Sequence, residues 1–222
     1  MIYHGSSDII EKPIFGHGRL KKDYGLGFYC TESLSLAKEW GASQNKNGYA
    51  NIYEIDDDGL SVLNLNSSEY SILHWIAILL ENRTFDVTTA LAREAKDYLL
   101  EAFPVPYKEY DVIIGYRADD SYFAFAQDFI NGAISLRQLG NAMRLGNLGI
   151  QYVLKSLKAF DSLTFKGYEV ANFSEWFLKK SNRDSNARRQ YFDQERNIRQ
   201  RGDVYITQIL DEEMKADDSR LR

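Results

Sequence analysis

The sequence predicts an α+β protein, because strand-like segments stand on both sides of a long helical stretch. Seven segments are typical of strands, and they occupy positions 2–4, 25–31, 50–56, 60–65, 110–116, 149–155 and 163–170. Between the fourth and the fifth, at about 66–104, apolar residues recur at helical spacing. A helical insertion of this length inside a set of strands makes an α+β chain.

Length and composition favour one domain, or one domain with an extension. The chain has 222 residues, 44% apolar and 14% aromatic, which is enough for a core and unlike a disordered chain. Its net charge of −5 gives no support to non-specific nucleic-acid binding. The single cysteine, Cys30, excludes an internal disulfide and a cysteine-based zinc site. The three histidines lack metal-ligand spacing, so we expect no metal site.

The sequence pattern contains no signal region and no stretch as long as a membrane span. The longest apolar run, at about 72–80, is interrupted by His74 and flanked by Glu69 and Glu81. We therefore expect a soluble protein of the cytoplasm.

The first elements are a short strand, a loop, a second strand and a helix. Residues 2–4 are apolar and aromatic, and the loop at 12–22 carries Pro13, two glycines and several cations. The second strand, at 25–31, begins in a glycine turn. A helix at 33–42 follows, with its apolar residues near one face.

The middle of the chain predicts a hairpin and then two helices. The strands at 50–56 and 60–65 are joined by Asp57-Asp58-Gly59, which is a strong hairpin signal. Asn66 followed by Glu69 is typical of a helix N-cap with its partner. The second helix, at 88–102, is ended by Pro104 and Pro106.

The last part of the predicted domain alternates strands and helices. After the strand at 110–116, Asp119 and Asp120 are expected to cap a helix through Phe129. Ser135 with Gln138 predicts a capping box. The strands at 149–155 and 163–170 complete a domain of residues 1–170. The helical extension at 171–222 is rich in arginine and carboxylates at spacings typical of an exposed, self-paired helix.

Two motifs near the N-terminus carry the functional information. The first is Tyr3-His4-Gly5-Ser6, and the second is Tyr24-Gly25-Leu26-Gly27-Phe28-Tyr29-Cys30-Thr31. The second lacks the third glycine and the βαβ context of a dinucleotide-binding fingerprint, which argues against a Rossmann fold. Together they resemble the NAD-binding half of ADP-ribosyltransferases of the poly(ADP-ribose) polymerase and diphtheria-toxin branch. That resemblance implies two small β-sheets facing each other across an NAD cleft.

The resemblance implies a role for each residue of the two motifs. His4 would bind a ribose hydroxyl of the adenosine half of NAD, and the bare backbone of Gly5 would hold the nicotinamide amide. The ring of Tyr29 would stack on the cationic nicotinamide. The remaining expected NAD contacts are Ser6, Arg19, Tyr24, Gly27 and Phe28. Lys21, Lys22 and His17 lie in the same loop as Arg19, either as further contacts or as solvated side chains.

The family has a Glu or Gln as its third functional residue, near the start of a later strand. In this sequence the best match is Gln151, in Gly149-Ile150-Gln151-Tyr152. It would orient the ribose 2′-hydroxyl while oxocarbenium character develops on the sugar. A Gln holds a hydroxyl but carries no charge, so the His-Tyr-Gln set favours transfer of a single ADP-ribose over chain elongation.

The leading hypothesis is thus an NAD-dependent mono-ADP-ribosyltransferase that modifies a protein or nucleic acid. The resemblance also implies a bacterial toxin or phage-defence setting, with an antitoxin partner. One alternative is a binding module of the same fold that has lost catalysis. Another is an enzyme that uses NAD to remove an RNA phosphate, which would require basic residues around the cleft in place of Tyr29. The last alternative is a regulator that binds nucleic acid through its arginine-rich extension.

Overall fold

The computed structural model describes residues 1–18, 20–118, 120–147 and 149–221, with the backbone alone at 120 and 121. Its α+β architecture, with two sheets and a long C-terminal helix, confirms the predicted class. The first sheet has three antiparallel strands in the order β1-β3-β7. They are β1 (Ile2–Ser6), β3 (Gly48–Ile55) and β7 (Leu163–Ala171).

The second sheet has four strands in the order β2-β6-β5-β4. They are β2 (Phe28–Cys30), β6 (Ile150–Leu154), β5 (Val112–Tyr116) and β4 (Val62–Asn64). The pairs are antiparallel except for β4 with β5, which is parallel. Two backbone hydrogen bonds between Tyr3 and Thr31, of 2.8 and 2.9 Å, join β1 to the end of β2 and so connect the two sheets.

The described residues form eight α-helices around the sheets. They are α1 (Leu34–Gly41), α2 (Ile72–Asn82), α3 (Ala90–Ala102), α4 (Asp120–Ile130), α5 (Leu136–Ala142), α6 (Leu157–Asp161), α7 (Phe173–Gln190) and α8 (Ile206–Asp211). Helix α2 is buried from 73 to 80, and its apolar residues belong to the larger hydrophobic core. Since its apolar residues surround it on all sides, this helix is enclosed by other elements.

Two expectations for the middle of the chain were wrong. Residues 50–56 and 60–65 form no hairpin, because β3 and β4 belong to different sheets. The turn itself forms, with Gly59 at φ +73°, but the chain then crosses to Asp111, whose carboxylate accepts from the backbone and hydroxyl of Ser61. The N-cap of α2 is not Asn66 with Glu69. It is Ser71, whose N–H donates to Nδ1 of His74 at 3.0 Å.

Other local predictions are confirmed. Ser135 and Gln138 form the capping box of α5, with Ser135 N donating to Gln138 Oε1 at 2.8 Å. The strands at 110–116, 149–155 and 163–170 are present, and so are the helices that follow Ser33 and Thr89. Asp119, with its predicted capping role, lies outside the described residues.

The C-terminal extension shares the larger core with the rest of the chain. Ala187, Tyr191, Ile206, Ile209 and Met214 are all buried in that core. An ion pair with both side chains largely buried, Arg183 Nε to Glu39 Oε2 at 2.8 Å, also holds α7 against α1. In the part of the chain that the structure describes, no helix has the length and apolar character needed to cross a membrane.

Candidate functional site

Two adjoining hollows bring the predicted site residues together, and His4, Lys22 and Tyr29 line both of them. The first, which we call the basic hollow, has a volume of about 450 Å³. It is defined by five cationic side chains and one carboxylate: Lys21, Lys22, Arg83, Arg117, Lys180 and Asp23. Gln151 lines it as well. The second, which we call the apolar hollow, has a volume of about 490 Å³. Its lining includes Ile10, Pro13, Ile14, His17 and Phe28.

A larger hollow of about 620 Å³ lies elsewhere, between α5 and residues 200–221. It is lined by Arg137, Arg144 and Arg220, among others, and by none of the predicted site residues. Arg137 pairs with Asp203, and Arg220 with Asp218 and Glu212, so two of these cations are engaged within the protein. The two adjoining hollows are the better candidate site, because they are the ones lined by His4, Tyr29 and Gln151.

The His4 ring is held in one orientation by the protein. Its Nδ1 lies 2.7 Å from the backbone oxygen of Tyr29, and its ring stacks on Phe28 with centroids 4.2 Å apart. Because a carbonyl oxygen only accepts, Nδ1 carries the proton and Nε2 is the accepting nitrogen. Burial lowers the pKa of His4 to about 4, so the imidazole is neutral at pH 7. The arrangement presents an acceptor, which suits a ligand hydroxyl.

The hydroxyl of Tyr29 is engaged within the protein, while its ring lines the hollows. The hydroxyl donates to the backbone oxygen of Gly25 at 2.6 Å and accepts from the N–H of Tyr24 at 3.1 Å. Burial raises the pKa of this phenol, so it stays protonated. The ammonium of Lys22 lies 4.6 Å from the ring centroid. The Tyr29 ring thus already contacts a cation.

A half-buried lysine supports the turn that precedes Tyr29. Gly25 has φ +72°, a conformation that favours glycine. The ammonium of Lys155 donates to the carbonyls of Tyr24 and Leu26, each at 2.5 Å. Burial lowers the pKa of Lys155 to about 8, so it remains largely cationic at neutral pH. The end of β6 therefore fixes the turn from which Tyr29 follows.

Gln151 reaches the basic hollow from β6 and has one defined amide orientation. Its Nε2 donates to Asp23 Oδ2 at 3.0 Å and to the backbone oxygen of Tyr116 at 3.2 Å. Both partners are acceptors, so the NH₂ group must face them and Oε1 is turned away. The residue is 4% exposed. This is the orientation that a residue holding a ligand hydroxyl through Oε1 requires.

Asp23 is the main site residue that sequence reasoning missed. Its Oδ1 accepts from Arg83 Nη1 at 2.8 Å, and its Oδ2 accepts from the N–H of Ala118 at 2.8 Å as well as from Gln151. Burial raises the pKa of Asp23, and these donors act in the opposite direction. The one sequence signal was its place between Lys22 and the glycine motif. Nothing in the spacing indicated a partner 128 residues away.

The cations of the basic hollow come from four different parts of the chain. The sequence indicated Lys21 and Lys22, but not Arg83, Arg117 or Lys180. The Arg117 guanidinium lies 3.9 Å from the centroid of the Trp40 ring. Arg83 follows α2, and Lys180 belongs to α7, so the extension contributes to the site.

Gly5 lines the basic hollow, but the packing of α1 is what requires a glycine there. A Cβ at this position would lie 2.0 Å from the backbone oxygen of Ala37 and 2.7 Å from Trp40 Cβ. The close packing of α1 therefore explains the glycine at position 5, in place of the expected need to leave room for a ligand. A ligand would meet the Gly5 backbone from the hollow.

The remaining predicted contacts divide between the hollows and their support. Gly27 and Phe28 line the apolar hollow. Tyr24 lines neither; it is fully buried, and its hydroxyl donates to the backbone oxygen of Tyr116 at 2.8 Å. Ser6 also lines neither and donates to the backbone oxygen of Asp8. Arg19 lies outside the described residues.

Asn51 is a second residue that the sequence did not indicate. It is completely buried on β3, and its Nδ2 donates to Ser6 Oγ at 3.0 Å and to the backbone oxygen of Asp8 at 3.2 Å. Its Oδ1 accepts from the N–H of Ile10 at 2.8 Å. These bonds fix the chain after β1, where the wall of the apolar hollow begins.

The fold and the site together define an α+β protein with a basic hollow, suited to an anionic ligand, at which two small sheets meet. The chain belongs to the family described as "Protein of unknown function (DUF3990)", whose model matches residues 1–165. No curated protein and no solved structure matches the chain. The family match ends within β7, so α7 and α8 lie beyond it.

Proposed function

We propose that this protein is an NAD-dependent mono-ADP-ribosyltransferase. The observation that carries the proposal is that His4, Tyr29 and Gln151, from β1, β2 and β6, line one hollow. The three residues are far apart in sequence, and the resemblance selects each of them from its own local motif. A three-stranded and a four-stranded sheet joined at one point also agree with the expected split sheet.

NAD has chemical groups that match the two hollows. Its nicotinamide is a flat cation suited to the Tyr29 ring, and its pyrophosphate is an anion suited to the surrounding cations. Because Lys22 lies over the same ring, its ammonium would move towards the pyrophosphate when nicotinamide stacks. The accepting Nε2 of His4 would bind a ribose hydroxyl, and Gln151 Oε1 would accept from the hydroxyl of the other ribose.

The reaction breaks one bond and makes one bond at the same carbon. The bond between ribose C1′ and the nicotinamide nitrogen breaks, and its electron pair leaves with neutral nicotinamide. The acceptor's nucleophile then bonds to C1′ and gives its proton to water or to a base of the acceptor. Side chains that bind the cationic sugar more tightly than NAD itself accelerate the first step.

The test uses chromatography to measure the release of nicotinamide from NAD. We expect His4→Ala and Gln151→Ala to lower the rate at least 100-fold, because each removes a ribose contact. Tyr29→Leu should weaken NAD binding, whereas Tyr29→Phe keeps the ring and should bind NAD within a few-fold of wild type. Gln190→Ala, on the exposed end of α7, is the matched control for Gln151→Ala. Full activity in both His4→Ala and Gln151→Ala would contradict the proposed site.

A binding module of the same fold is the alternative favoured by the uncharged Gln151. It predicts NAD binding in a calorimetric titration without nicotinamide release, also in the presence of candidate acceptors. An absence of both binding and release would refute the NAD-based proposals together. The bacterial toxin or phage-defence setting, an antitoxin partner and a cytoplasmic location remain predictions from the resemblance.

A second enzymatic candidate, removal of an RNA phosphate with NAD, gains support from the basic hollow. Five cations with one carboxylate suit a phosphorylated nucleic acid as well as a pyrophosphate. Tyr29 favours the first proposal, since its ring is suited to nicotinamide. The two are separated by incubating the protein and NAD with an RNA oligonucleotide that carries an internal 2′-phosphate. Loss of the phosphate from the RNA would favour phosphate removal. Retention of ADP-ribose on the RNA would favour the mono-ADP-ribosyltransferase.

A further inference from the structure

We propose that Asp23 is a positioning residue for Gln151, and that this pair supplies the charge and orientation that a single glutamate would otherwise provide. The inference rests on the proposed function, since it assigns a role in cleavage of the nicotinamide bond. Among the described residues that line the two hollows, Asp23 is the one carboxylate.

The first step of the argument is orientation. Gln151 Nε2 donates to the Asp23 carboxylate at 3.0 Å and to the backbone oxygen of Tyr116 at 3.2 Å. A flipped amide would place Oε1 against two acceptors and lose both hydrogen bonds. Asp23 therefore keeps Oε1 as the amide atom that faces away from the protein contacts.

The second step is charge. An amide whose N–H donates to a carboxylate is polarised, so that its carbonyl oxygen becomes a stronger acceptor. When positive charge develops on the ribose, the 2′-hydroxyl bound to Oε1 then experiences part of the negative charge of Asp23. This interaction is stronger in the transition state than in bound NAD, which is the condition for raising kcat.

The third step is rigidity. The two oxygens of Asp23 accept three hydrogen bonds, from Arg83, from the N–H of Ala118 and from Gln151. Arg83 is itself placed over the Phe123 ring, 4.7 Å from its centroid. The carboxylate is therefore fixed, and Asp23 is only 5% exposed. Such a group is suited to orienting and polarising a neighbour, and poorly suited to accepting a proton from a mobile acceptor.

The experiment moves the charge from one member of the pair to the other. Wild type, Asp23→Asn, Gln151→Glu and the double variant are compared in nicotinamide release, with kcat and KM for NAD measured separately. Asp23→Asn should lower kcat about 100-fold and change KM less than threefold. Gln151→Glu should also be impaired, because two carboxylates then face each other. In the double variant the amide introduced at position 23 can donate to the carboxylate introduced at position 151, so kcat should recover about tenfold over Asp23→Asn. It should stay below the wild-type value, because that amide then faces the N–H of Ala118 and the carboxylate faces the backbone oxygen of Tyr116.

Two results would overturn the role of Asp23 while leaving the proposed function intact. One is Asp23→Asn with kcat within twofold of wild type, and the other is a double variant no faster than Asp23→Asn. A purely structural role of Asp23 would lower the melting temperature of Asp23→Asn without this rescue.

If Asp23→Asn does not fold, the dependence of the Gln151→Glu rate on pH tests the pair instead. Coupling to Asp23 adds an ionisation that wild type lacks to its rate profile, and a profile unchanged from wild type would contradict the pair. Wild-type protein that neither binds nor cleaves NAD would refute the proposed function itself.

Discussion

His4 lies where the two hollows meet, and its ring is fixed by contacts on two sides. Nδ1 donates to the backbone oxygen of Tyr29, and Phe28 stacks on the ring face. Burial disfavours the imidazolium, and the nearby charge of Lys22 acts in the same direction. A neutral histidine in one tautomer offers an acceptor whose position is set by β1 and β2.

The lowered pKa of His4 predicts a pH dependence of stability. The unfolded histidine binds a proton near pH 6.5, whereas the folded one does so at about pH 4. Between these values the unfolded state holds the extra proton, so the free energy of unfolding falls as the pH is lowered. From pH 7 to pH 4.5 the loss should be roughly 2 kcal/mol. Urea unfolding of wild type and His4→Asn at both pH values measures it, since the variant lacks this component. Equal losses in the two proteins would contradict the assignment.

At the residue scale, the sequence predicts those residues of the candidate site that belong to short local motifs. His4 and Tyr29 were predicted because each has glycines at fixed neighbouring positions. Asp23 and Lys180 were not, because their place in the basic hollow depends on how β6 and α7 pack. The contact between Asp23 and Gln151 joins residues separated by 128 positions, and no periodicity encodes such a pair.

Among the elements, the packing of α1 against the first sheet shapes the site most directly. Gly5 on β1 and Gly48 on β3 each bring a strand so close to α1 that a Cβ would lie 2.0 Å from a helix carbonyl oxygen. The close approach places Trp40, near the C-terminal end of α1, beside His4 and Gly5 in the lining of the basic hollow. Glycine is thus needed on the helix side of β1, while the other side stays available to a ligand.

Gly5→Ala should separate β1 from α1 and destabilise the fold. Its Cβ would meet the backbone oxygen of Ala37, which cannot move without the helix. We expect a loss of about 3 kcal/mol in the free energy of unfolding, at the upper end for overpacking. Gly140→Ala on α5 is the matched control, because no atom lies within 4 Å of its added Cβ. That variant should be neutral, or more stable by up to about 1 kcal/mol, since alanine is the better helix former. Similar urea midpoints for the two variants would contradict the close packing.

At the element scale, local signals located the strands and helices but not all of their partners. The glycine turn at Gly59 and the capping box at Ser135 form as the residues predict. The pairing of β4 was wrong because turn chemistry specifies a change of direction, whereas the neighbour of a strand depends on distant residues. Here Asp111, 50 positions away, draws Ser61 to the second sheet.

On the scale of the whole molecule, charge is distributed very unevenly. The chain has a net charge of −5, yet the lining of the basic hollow contains five cations and one carboxylate. Composition alone therefore gave no indication of an anion-binding site. Field lines concentrate in such a hollow, so a negatively charged ligand is attracted to it despite the acidic total.

The extension beyond residue 171 contributes both to the core and to the site. Tyr191 and Ile209 are buried in the larger core, and Lys180 lines the basic hollow. The sequence predicted that the extension is helical, which α7 confirms, but treated it as an addition to a domain of residues 1–170. Because its apolar residues pack among α3, α4 and α5, the core is incomplete without it.

A chain ending at residue 171 should therefore lose the cooperative fold, even though the family match ends at residue 165. Removal of α7 and α8 exposes the apolar surfaces that they cover, and each buried large side chain contributes about 1.5–3 kcal/mol. Thermal unfolding of the truncated protein, monitored by near-ultraviolet circular dichroism, measures the effect. Lys180→Met in the full chain separates the two contributions, since it removes the charge from the hollow and leaves the core intact. It should unfold like wild type and bind NAD several-fold more weakly. A truncated chain that unfolds cooperatively near the wild-type temperature would show that residues 1–171 are a self-sufficient domain.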